Sequence, residues 1–404
     1  MSASRSKLVN PVSKWEIPQR LVAIKAYGWD WMNKFGLSMR EGADSLHQNG
    51  CDWVLVENRI DPRVIRLHDD GGPQQKFDDR TWTAELQNRG LRVLQTTAMF
   101  FDAAAYANNL ELRPVNQRGE TAPEVGWYRG INPTDERYLS WKIDKICSMV
   151  EKTKPDGLFV SFFRFPGFWE LWLPSSDGFA GTSRSAIDDY GYDRQSIELF
   201  EECLGYEIDE RDLESKRRAI SHELRQEWVA WKCNTIYEIA QRLRREVRSV
   251  KPDIELMLNG FGLCDEHFDN AVKEVLGQDL RLLSSVFEHF ELMFYFQIQK
   301  RDPAVWIPKR LAEIEHDLSE LDHKPTVLVD LQAGAEYLDP IYKEGERAQR
   351  ISRFEWRAAL QATAATSANG VLVYSWRHLL TDTASNGGFT RDLLAYKNGD
   401  FEAA

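Results

Sequence analysis

The chain has little of what marks several protein classes. Its five cysteines are odd in number and widely spaced over 404 residues, which favours reduced thiols over a disulfide framework. No apolar run approaches the roughly 20 residues that a membrane-spanning helix needs. The first residues, Met1 to Lys7, are polar and lack the apolar segment of a secretory signal. We therefore expect a cytoplasmic protein that does not enter a membrane.

Positive charge is also scarce. The formal net charge is −12, from 51 basic and 63 acidic side chains. Nucleic acids and anionic membrane surfaces are bound through concentrated positive charge, so the composition argues against both partners. An anionic small molecule stays compatible, because a few arginines can line one pocket.

Eight short apolar runs repeat along the chain, each followed by polar residues. They are Leu21–Ala26, Trp53–Val56, Leu91–Thr97, Leu158–Phe163, Ile254–Leu258, Leu280–Phe287, Thr326–Val329 and Val371–Tyr374. Amphipathic, helix-like segments such as residues 133–152 and 228–251 lie between them. Strands alternating with helices form right-handed βαβ units with a parallel sheet, and eight units close most naturally into a barrel. An open doubly wound sheet is the alternative, but no Gly-x-Gly-x-x-Gly turn follows the first run.

The predicted fold is therefore α/β, a (β/α)8 TIM barrel with long loop insertions after strands 3 and 4. Residues 1–20 are expected to form an N-terminal extension, 21–395 a single barrel domain, and 396–404 a flexible tail. The insertions cover residues 103–132 and 165–227. Loops of this length at the carboxyl ends of the strands usually form lids and pocket walls, so we expect the second insertion to form part of the pocket wall.

Two carboxylates end predicted strands and are the first candidates for catalysis. Glu288 follows the sixth run and Asp330 the seventh. Active sites of TIM barrels lie at the carboxyl ends of the strands, and glycoside cleavage uses two carboxyl groups. We predict Asp330 as the nucleophile or base and Glu288 as the acid. Pairing with arginines or helix capping is the structural alternative for both.

The segment after the fourth run combines a cation, aromatic rings and a carboxylate. Arg164 ends this run, and Trp169 and Glu170 follow closely. Aromatic rings suit the apolar faces of sugars, while charged groups suit their hydroxyl edges. We expect Arg164 and Trp169 to bind substrate and Glu170 to be a reserve acid.

Further polar and aromatic residues lie at predicted strand ends. The remaining predicted substrate-binding residues are Glu57, Asn259, His289, Trp376 and Arg377. Glu288, His289 and Asp330 together form a conceivable metal set, but no paired His or Cys spacing supports it, so neither a metal nor another cofactor is predicted. Lys25, inside the first run, has two interpretations: a Schiff-base lysine or, favoured here, an interior lysine paired with a carboxylate.

Several stretches resemble the glycoside-hydrolase-like TIM barrels, a large group with many uncharacterised glycosidases. They are Gly50–Val56, Pro155–Val160, Phe200–Tyr206, Trp228–Lys232 and Ala362–Trp376. The resemblance spans about residues 20–380 and concerns architecture rather than a diagnostic motif. Many such enzymes have Asn-Glu at the end of strand 4 as acid/base; here that position is Phe163-Arg164.

The prediction for function is a carbohydrate-active enzyme, a glycoside hydrolase acting on small oligosaccharides or glycosides through a carboxylate pair. One alternative is a sugar isomerase, epimerase or lyase in the same barrel, with or without a metal. Another is a non-catalytic sugar-binding protein. The expected partner is a small carbohydrate, and assembly into a homo-oligomer through the outer helices is left open.

Overall fold

Eight parallel strands form a closed barrel in the order β1 to β8. The computed structural model describes residues 11–62, 73, 76–124, 126–169, 172, 183–209, 212–334 and 351–400. The strands are β1 Leu21–Ala26, β2 Trp53–Val56, β3 Arg92–Ala98, β4 Gly157–Ser161, β5 Glu255–Phe261, β6 His289–Met293, β7 Thr326–Gln332 and β8 Gly370–Tyr374. The predicted (β/α)8 barrel is confirmed.

Helices connect the strands and surround the barrel. Those in the described residues are α1 Asp30–Asn33, α2 Met39–Gln48, α3 Asp79–Gln87, α4 Ala103–Asn108, α5 Glu136–Thr153, α6 Arg194–Leu204, α7 Leu213–Ser221, α8 Arg225–Val250, α9 Ala271–Glu274, α10 Leu280–Leu283, α11 Pro303–Asp317, α12 Arg353–Ala364, α13 Trp376–Ala384 and α14 Phe389–Asn398. No helix in these residues is long and apolar enough to cross a bilayer.

Alternation along each strand divides the apolar residues into two layers. In β1, Val22 and Ile24 face outward and pack beneath the helices, whereas Leu21 and Ala23 face the barrel interior. The same period of two applies to the other strands, because successive side chains point to opposite faces. In several strands, the inward-facing residues near the carboxyl end are polar. The barrel interior therefore contains a polar cluster at the carboxyl ends of the strands and a mainly apolar layer, the floor, at their amino ends.

The floor of the barrel is closed by the segment before β1. The Trp15 ring stacks on the His289 ring at 4.9 Å and meets the Trp53 ring edge-on at 4.9 Å. Glu255 accepts hydrogen bonds from the Ser13 hydroxyl at 2.7 Å and the Lys14 amide at 2.6 Å. His289 Nε2 lies 2.8 Å from Glu255 Oε2, so this contact connects β6 to β5 in the floor.

The predicted sixth strand is wrong. Of residues 280–287, Leu280–Leu283 form α10, and β6 begins only at His289. An apolar run of this length does not distinguish a strand from a buried helical turn. Glu288 and His289 therefore lie at the amino end of β6, on the floor side, and not at the mouth.

The long connection between β4 and α8 is held by buried charges. Asp189 Oδ1 accepts a hydrogen bond from Lys232 Nζ at 2.6 Å, and Asp189 also pairs with Arg225. Both cations lie on α8, while Asp189 lies in the described part of the insertion. Breaking one member of such a buried set leaves an uncompensated charge, so this contact fixes residues near Asp189 to the barrel wall.

Candidate active site

A buried lysine lies at the centre of the polar cluster. Lys25, on β1, is 3% exposed, and its ammonium nitrogen lies 2.6 Å from Asp330 Oδ2 and 3.0 Å from Glu291 Oε1. Asp330 on β7 and Glu291 on β6 are both 0% exposed. The favoured interpretation of Lys25, an interior lysine paired with carboxylates, is confirmed.

Neighbouring donors complete the hydrogen bonds of the two carboxyl groups. The Tyr295 hydroxyl donates to Asp330 Oδ2 at 2.8 Å, and Asn259 Nδ2 on β5 donates to Glu291 Oε2. Asp330 Oδ1 is buried and receives no hydrogen bond from the described residues. We call these five residues, Lys25, Asn259, Glu291, Tyr295 and Asp330, the Lys25 cluster.

In the Lys25 cluster, the pKa values of both Asp330 and Lys25 are raised above their usual values. Burial, the largest influence, raises the pKa of Asp330 well above its usual value; Lys25 opposes this and Glu291 adds to it. Burial alone disfavours the charged form of Lys25, but Asp330 and Glu291 outweigh it and raise the pKa of the ammonium group. Lys25 therefore stays protonated at neutral pH, which leaves no free amine for a Schiff base.

Aromatic rings surround the ammonium group and the carboxyl groups. The Lys25 nitrogen lies 5.2 Å from the Phe159 ring centre and 5.6 Å from that of Tyr374. Tyr374 stacks on Tyr295 at 5.6 Å, and Trp169 lies 6.5 Å from Tyr295. The predicted substrate-binding residue Trp169 is therefore adjacent to the cluster, on the side of the strand carboxyl ends.

Arg164 lies in the same region, directly after β4. It is 3% exposed, and its guanidinium group stacks at 4.5 Å over the Phe261 ring and at 5.2 Å over the Phe162 ring. Phe261 in turn contacts Trp169 edge-on at 6.3 Å. Arg164 thus occupies the position at which many barrel glycosidases have their acid, near but not within the Lys25 cluster.

Two other predicted residues lie at strand ends and make local contacts. Glu57, after β2, is half-buried and accepts a hydrogen bond from the Gly28 amide at 3.2 Å. Arg377, at the start of α13, forms an ion pair with Asp30 at 2.6 Å, which ties α13 to α1. Neither contact involves the Lys25 cluster.

Trp376 does not face the mouth, which contradicts its predicted stacking role. Its ring is 1% exposed and packs on Trp31 at 5.6 Å and on Trp82 at 6.5 Å. These tryptophans belong to the layer between barrel and helices. Trp376, the second residue after β8, begins α13, and its side chain points outward into that layer.

Glu288 is also excluded from the mouth. Its Oε1 accepts hydrogen bonds from Arg244 at 2.7 Å and Arg248 at 2.8 Å, both on α8, and its Oε2 accepts one from the Leu256 amide at 2.9 Å. Asp330 is level with Met293 in the sheet register, five residues further along, or about 16 Å at the rise of a strand. Glu288 and Asp330 therefore cannot act on one bond.

His289 belongs to the floor, where it contacts Glu255 and Trp15. Glu170, the reserve acid, lies outside the described residues. Of the predicted site, the structure brings together Asp330 and Asn259, with Trp169 and Arg164 alongside.

Sequence reasoning missed Glu291, Tyr295 and Tyr374. The signal for Glu291 is the alternation in His289-Phe290-Glu291-Leu292-Met293, in which Phe290 and Leu292 pack outward and the residues between them face inward. Because a buried parallel strand usually reads as a continuous apolar run, an alternating segment is easily missed. Tyr295 follows the same alternation two residues beyond the strand.

In the described part of the chain, no group of three or more His, Cys, Asp or Glu side chains is arranged to hold a metal ion. The carboxyl groups of the Lys25 cluster are neutralised by an ammonium group instead. The metal-assisted alternative thus has no support from these residues.

Comparison with known proteins relates the fold to one class of enzyme. No family model matches this chain, and neither does any curated protein sequence. Among solved structures, the PgaB (BpsB) glycoside hydrolase domain from Bordetella bronchiseptica is similar over 92% of this chain and 98% of that domain, at 12% identity and a TM-score of 0.64.

Two β-galactosidases are similar as well. The enzyme from the Antarctic haloarchaeon Halorubrum lacusprofundi matches over 95% of this chain at 13% identity and a TM-score of 0.59. A GH42 β-galactosidase from G. stearothermophilus matches over 97% of this chain at 11% identity and a TM-score of 0.61. This chain spans 59% and 58% of those two enzymes. The predicted resemblance to glycoside-hydrolase-like TIM barrels is confirmed at the level of the fold, which is all that such identities show.

Proposed function

We propose that this chain is a carbohydrate-active enzyme, a glycoside hydrolase in which Asp330 and Glu291 form the carboxylate pair. The observation that supports this most directly is the sharing of one ammonium group by two buried carboxyl groups inside the barrel, beside aromatic rings. Glu291 replaces the predicted Glu288 as the second carboxyl group.

Hydrogen bonding suggests which carboxyl group has the proton. Both oxygens of Glu291 accept hydrogen bonds, from Lys25 and Asn259, as suits an ionised carboxylate. Asp330 accepts through Oδ2, while Oδ1 receives none, and burial raises its pKa. We therefore assign Asp330 as the acid, whose proton would lie on Oδ1, and Glu291 as the nucleophile. Environments that separate the protonation of two carboxyl groups supply an acid and a nucleophile.

The spacing favours a retaining reaction. The two oxygens that contact Lys25 are at most about 5.6 Å apart, the sum of their distances to its nitrogen. Retaining pairs lie about 5–5.5 Å apart, whereas inverting pairs need about 6.5–9.5 Å to admit a water. Asp330 would protonate the leaving oxygen as the anomeric C–O bond breaks, and Glu291 would bond to the anomeric carbon. A water deprotonated by Asp330 would then release the sugar from Glu291.

Burial adds a condition to this mechanism. Asp330 and Glu291 are both 0% exposed, so a substrate must displace side chains above them before it reaches either group. Tyr295 donates a hydrogen bond to Asp330 and stacks on Tyr374, and these two rings would stack on the sugar once it has entered. Lys25 stays charged and holds the two carboxyl groups at their spacing.

A panel of nitrophenyl and dinitrophenyl glycosides tests the proposal. We expect Glu291→Ala to lose turnover and regain it with azide, which gives the glycosyl azide of inverted configuration. Asp330→Asn should lose about 10²–10⁴-fold on substrates with poor leaving groups, the usual value of general acid catalysis, and retain more on dinitrophenyl glycosides. Azide should give a product of retained configuration with this variant.

Glu255→Gln is the matched control, because Glu255 is an equally buried interior carboxylate at the floor. It should lower stability but leave kcat/KM within about twofold of the unmodified protein on the best substrate. Unchanged turnover in Asp330→Asn or Glu291→Ala would refute the assignment.

The second candidate is a non-catalytic sugar-binding protein. Two observations favour it: Arg164 stands where many barrel glycosidases have their acid, and the Lys25 cluster is fully buried. It predicts sugar binding by the unmodified protein with no turnover on any glycoside. Measurable hydrolysis that Asp330→Asn abolishes would exclude it.

A further inference from the structure

A large cleft lies beside the barrel mouth, apart from the Lys25 cluster. It has a volume of about 1440 Å³ and is lined by residues after β2, by the connection from β3 to α5, and by the first half of α5. Pockets for small ligands usually measure about 300–1,000 Å³, so this cleft has room for more than a single small glycoside. We call it the α5 cleft.

Its floor is a buried ion pair. Asp61 is 2% exposed, and its Oδ1 lies 2.6 Å from Lys142 Nζ and 3.8 Å from Lys145 Nζ. The Thr97 hydroxyl donates to Asp61 Oδ2 at 2.5 Å. Buried charges of this kind hold their geometry, so polar groups at the base of the cleft are fixed in position before a ligand arrives.

Aromatic side chains form the walls. Trp141 on α5 is 46% exposed, and the Lys145 nitrogen lies 4.8 Å from its ring centre. Trp127, which also lines the cleft, is half-buried and packs against Phe101 at 5.7 Å. Exposed indole rings next to fixed polar groups suit sugar rings, which present apolar faces and hydroxyl edges.

The charge of the cleft selects against polyanions. Among the described residues that line it, four side chains are acidic and four are basic, which gives no net formal charge; they are Asp61, Asp102, Glu111, Asp135, Arg129, Arg137, Lys142 and Lys145. A site for an acidic polymer would need an excess of positive charge. The ligand class that fits these walls is therefore an uncharged glycan.

The α5 cleft is lined by residues that follow β2 and β3, whereas the two carboxyl groups of the Lys25 cluster lie on β6 and β7. In the closed strand order, β2 and β3 stand four strands from β6 and β7. Eight strands spaced about 4.8 Å apart and tilted by about 36° give a barrel roughly 15 Å across. A ligand that reaches both places must therefore extend over several sugar units.

Contacting side chains also connect the two places. Trp127 lies 6.0 Å from Phe162, whose ring lies 5.2 Å from the Arg164 guanidinium carbon. Arg164 stacks on Phe261, and Phe261 contacts Trp169 beside the Lys25 cluster. The side chains between the cleft and the proposed reaction centre thus form a continuous packed series.

We propose that the α5 cleft binds the distal units of an uncharged polysaccharide, with one ring stacked on Trp141, and that this polymer is the substrate. The binding claim is independent of the proposed function; only the claim that the bound glycan is cleaved rests on it.

Electrophoresis of the full chain in gels that contain dissolved polysaccharide measures binding without turnover. The probes are starch, β-glucan, galactan, xylan and mannan as neutral polymers, and alginate and polygalacturonate as acidic ones. We expect at least one neutral polymer to retard the unmodified protein and Asp330→Asn alike. Trp141→Ala should weaken this binding about tenfold. Tyr206→Ala, which changes an aromatic side chain that is 54% exposed elsewhere, should bind as the unmodified protein does.

Retardation by acidic polymers only, by none of the seven polymers, or equally for Trp141→Ala would overturn the binding claim. For the retarding polymer, Trp141→Ala should raise KM for the polymer and leave kcat/KM on a nitrophenyl monoglycoside unchanged. An equal loss on both substrates would overturn the claim that the cleft serves distal units. If binding depends on Trp141 but no substrate is cleaved, the proposed function fails and the glycan site stands.

Discussion

Removal of the ammonium group from the Lys25 cluster should unbalance the barrel interior. Lys25→Met keeps the length of the side chain but leaves Glu291 and Asp330, both 0% exposed, without their cation. Breaking a buried ion pair by deleting one partner costs about 3–5 kcal/mol. This is a large fraction of the roughly 5–15 kcal/mol that stabilises a folded protein. We therefore expect Lys25→Met to be folded but strongly destabilised.

The loss should grow with pH. Burial already raises the pKa of Asp330, and Lys25 counteracts that rise, so its removal raises the pKa further. A carboxyl group with a raised pKa in the folded state holds a proton that the unfolded chain has released. Stability therefore falls as pH rises from the unfolded value, about 3.9, to the folded one. In Lys25→Met this window extends to higher pH, and the variant should recover part of its stability at pH 5 relative to pH 8.

Urea unfolding at pH 5 and pH 8, followed by tryptophan fluorescence, measures both effects. Lys25→Met/Asp330→Asn removes the carboxyl group that must take up a proton on folding, so it should be about 1–3 kcal/mol more stable at pH 8 than Lys25→Met. The exposed Lys152→Met is the control and should change stability by less than about 0.5 kcal/mol. A cost below about 1 kcal/mol for Lys25→Met at pH 8, or the same cost at both pH values, would refute the reasoning.

Two further predictions concern residues away from the Lys25 cluster. Glu288→Gln should lower the unfolding free energy by about 1–3 kcal/mol, because it weakens the ion pairs with Arg244 and Arg248. It should leave kcat/KM unchanged. If turnover is lost while stability is unchanged, Glu288 belongs to the active site after all. Burial, with Arg301 adding to it, lowers the pKa of His267 to about 4, while its Nδ1 accepts a hydrogen bond from the Cys264 amide at 2.8 Å. As the pH falls, the imidazole of His267 takes up a proton in the unfolded chain before it does so in the folded protein. The unfolding free energy should therefore decrease by up to about 3 kcal/mol as the pH falls from 6.5 to 4. In urea unfolding, His267→Gln should show a smaller decrease over the same pH range. Equal slopes for both proteins would contradict it.

The sequence was sufficient to predict the barrel, but not which residues form the candidate active site. Repetition of apolar runs and amphipathic segments is a property of the whole chain, so the error in one run did not change the predicted architecture. Placement of Glu288 depended on that single run, and Leu280–Leu283 proved helical. The true β6 was obscured because its inward-facing positions are polar, unlike those of most buried parallel strands.

Asp330 and Trp376 show that the sequence does not reveal in which direction a side chain near the end of a strand points. Asp330 follows an apolar run and faces inward, whereas Trp376 follows one and faces outward. Successive side chains of a strand point alternately to the barrel interior and to the outer layer. If the end of a strand is predicted with an error of one residue, the predicted direction of the side chain is reversed. The contact of Lys25 with two carboxylates more than 260 residues away in sequence depends on barrel closure, which no local pattern encodes.

The closed floor of the barrel links the two ends of its folding. Ser13 contacts Glu255 and Trp15 contacts His289, and in each pair the second residue is synthesised more than 240 residues after the first. Ser13 and Trp15 therefore cannot make these contacts until most of the barrel has been synthesised, and closing a loop of this length is slow. A chain shortened past residue 15 would leave the side chains of Glu255 and His289 accessible to water in the floor. Such a shortened barrel should expose its interior from below while its mouth stays intact.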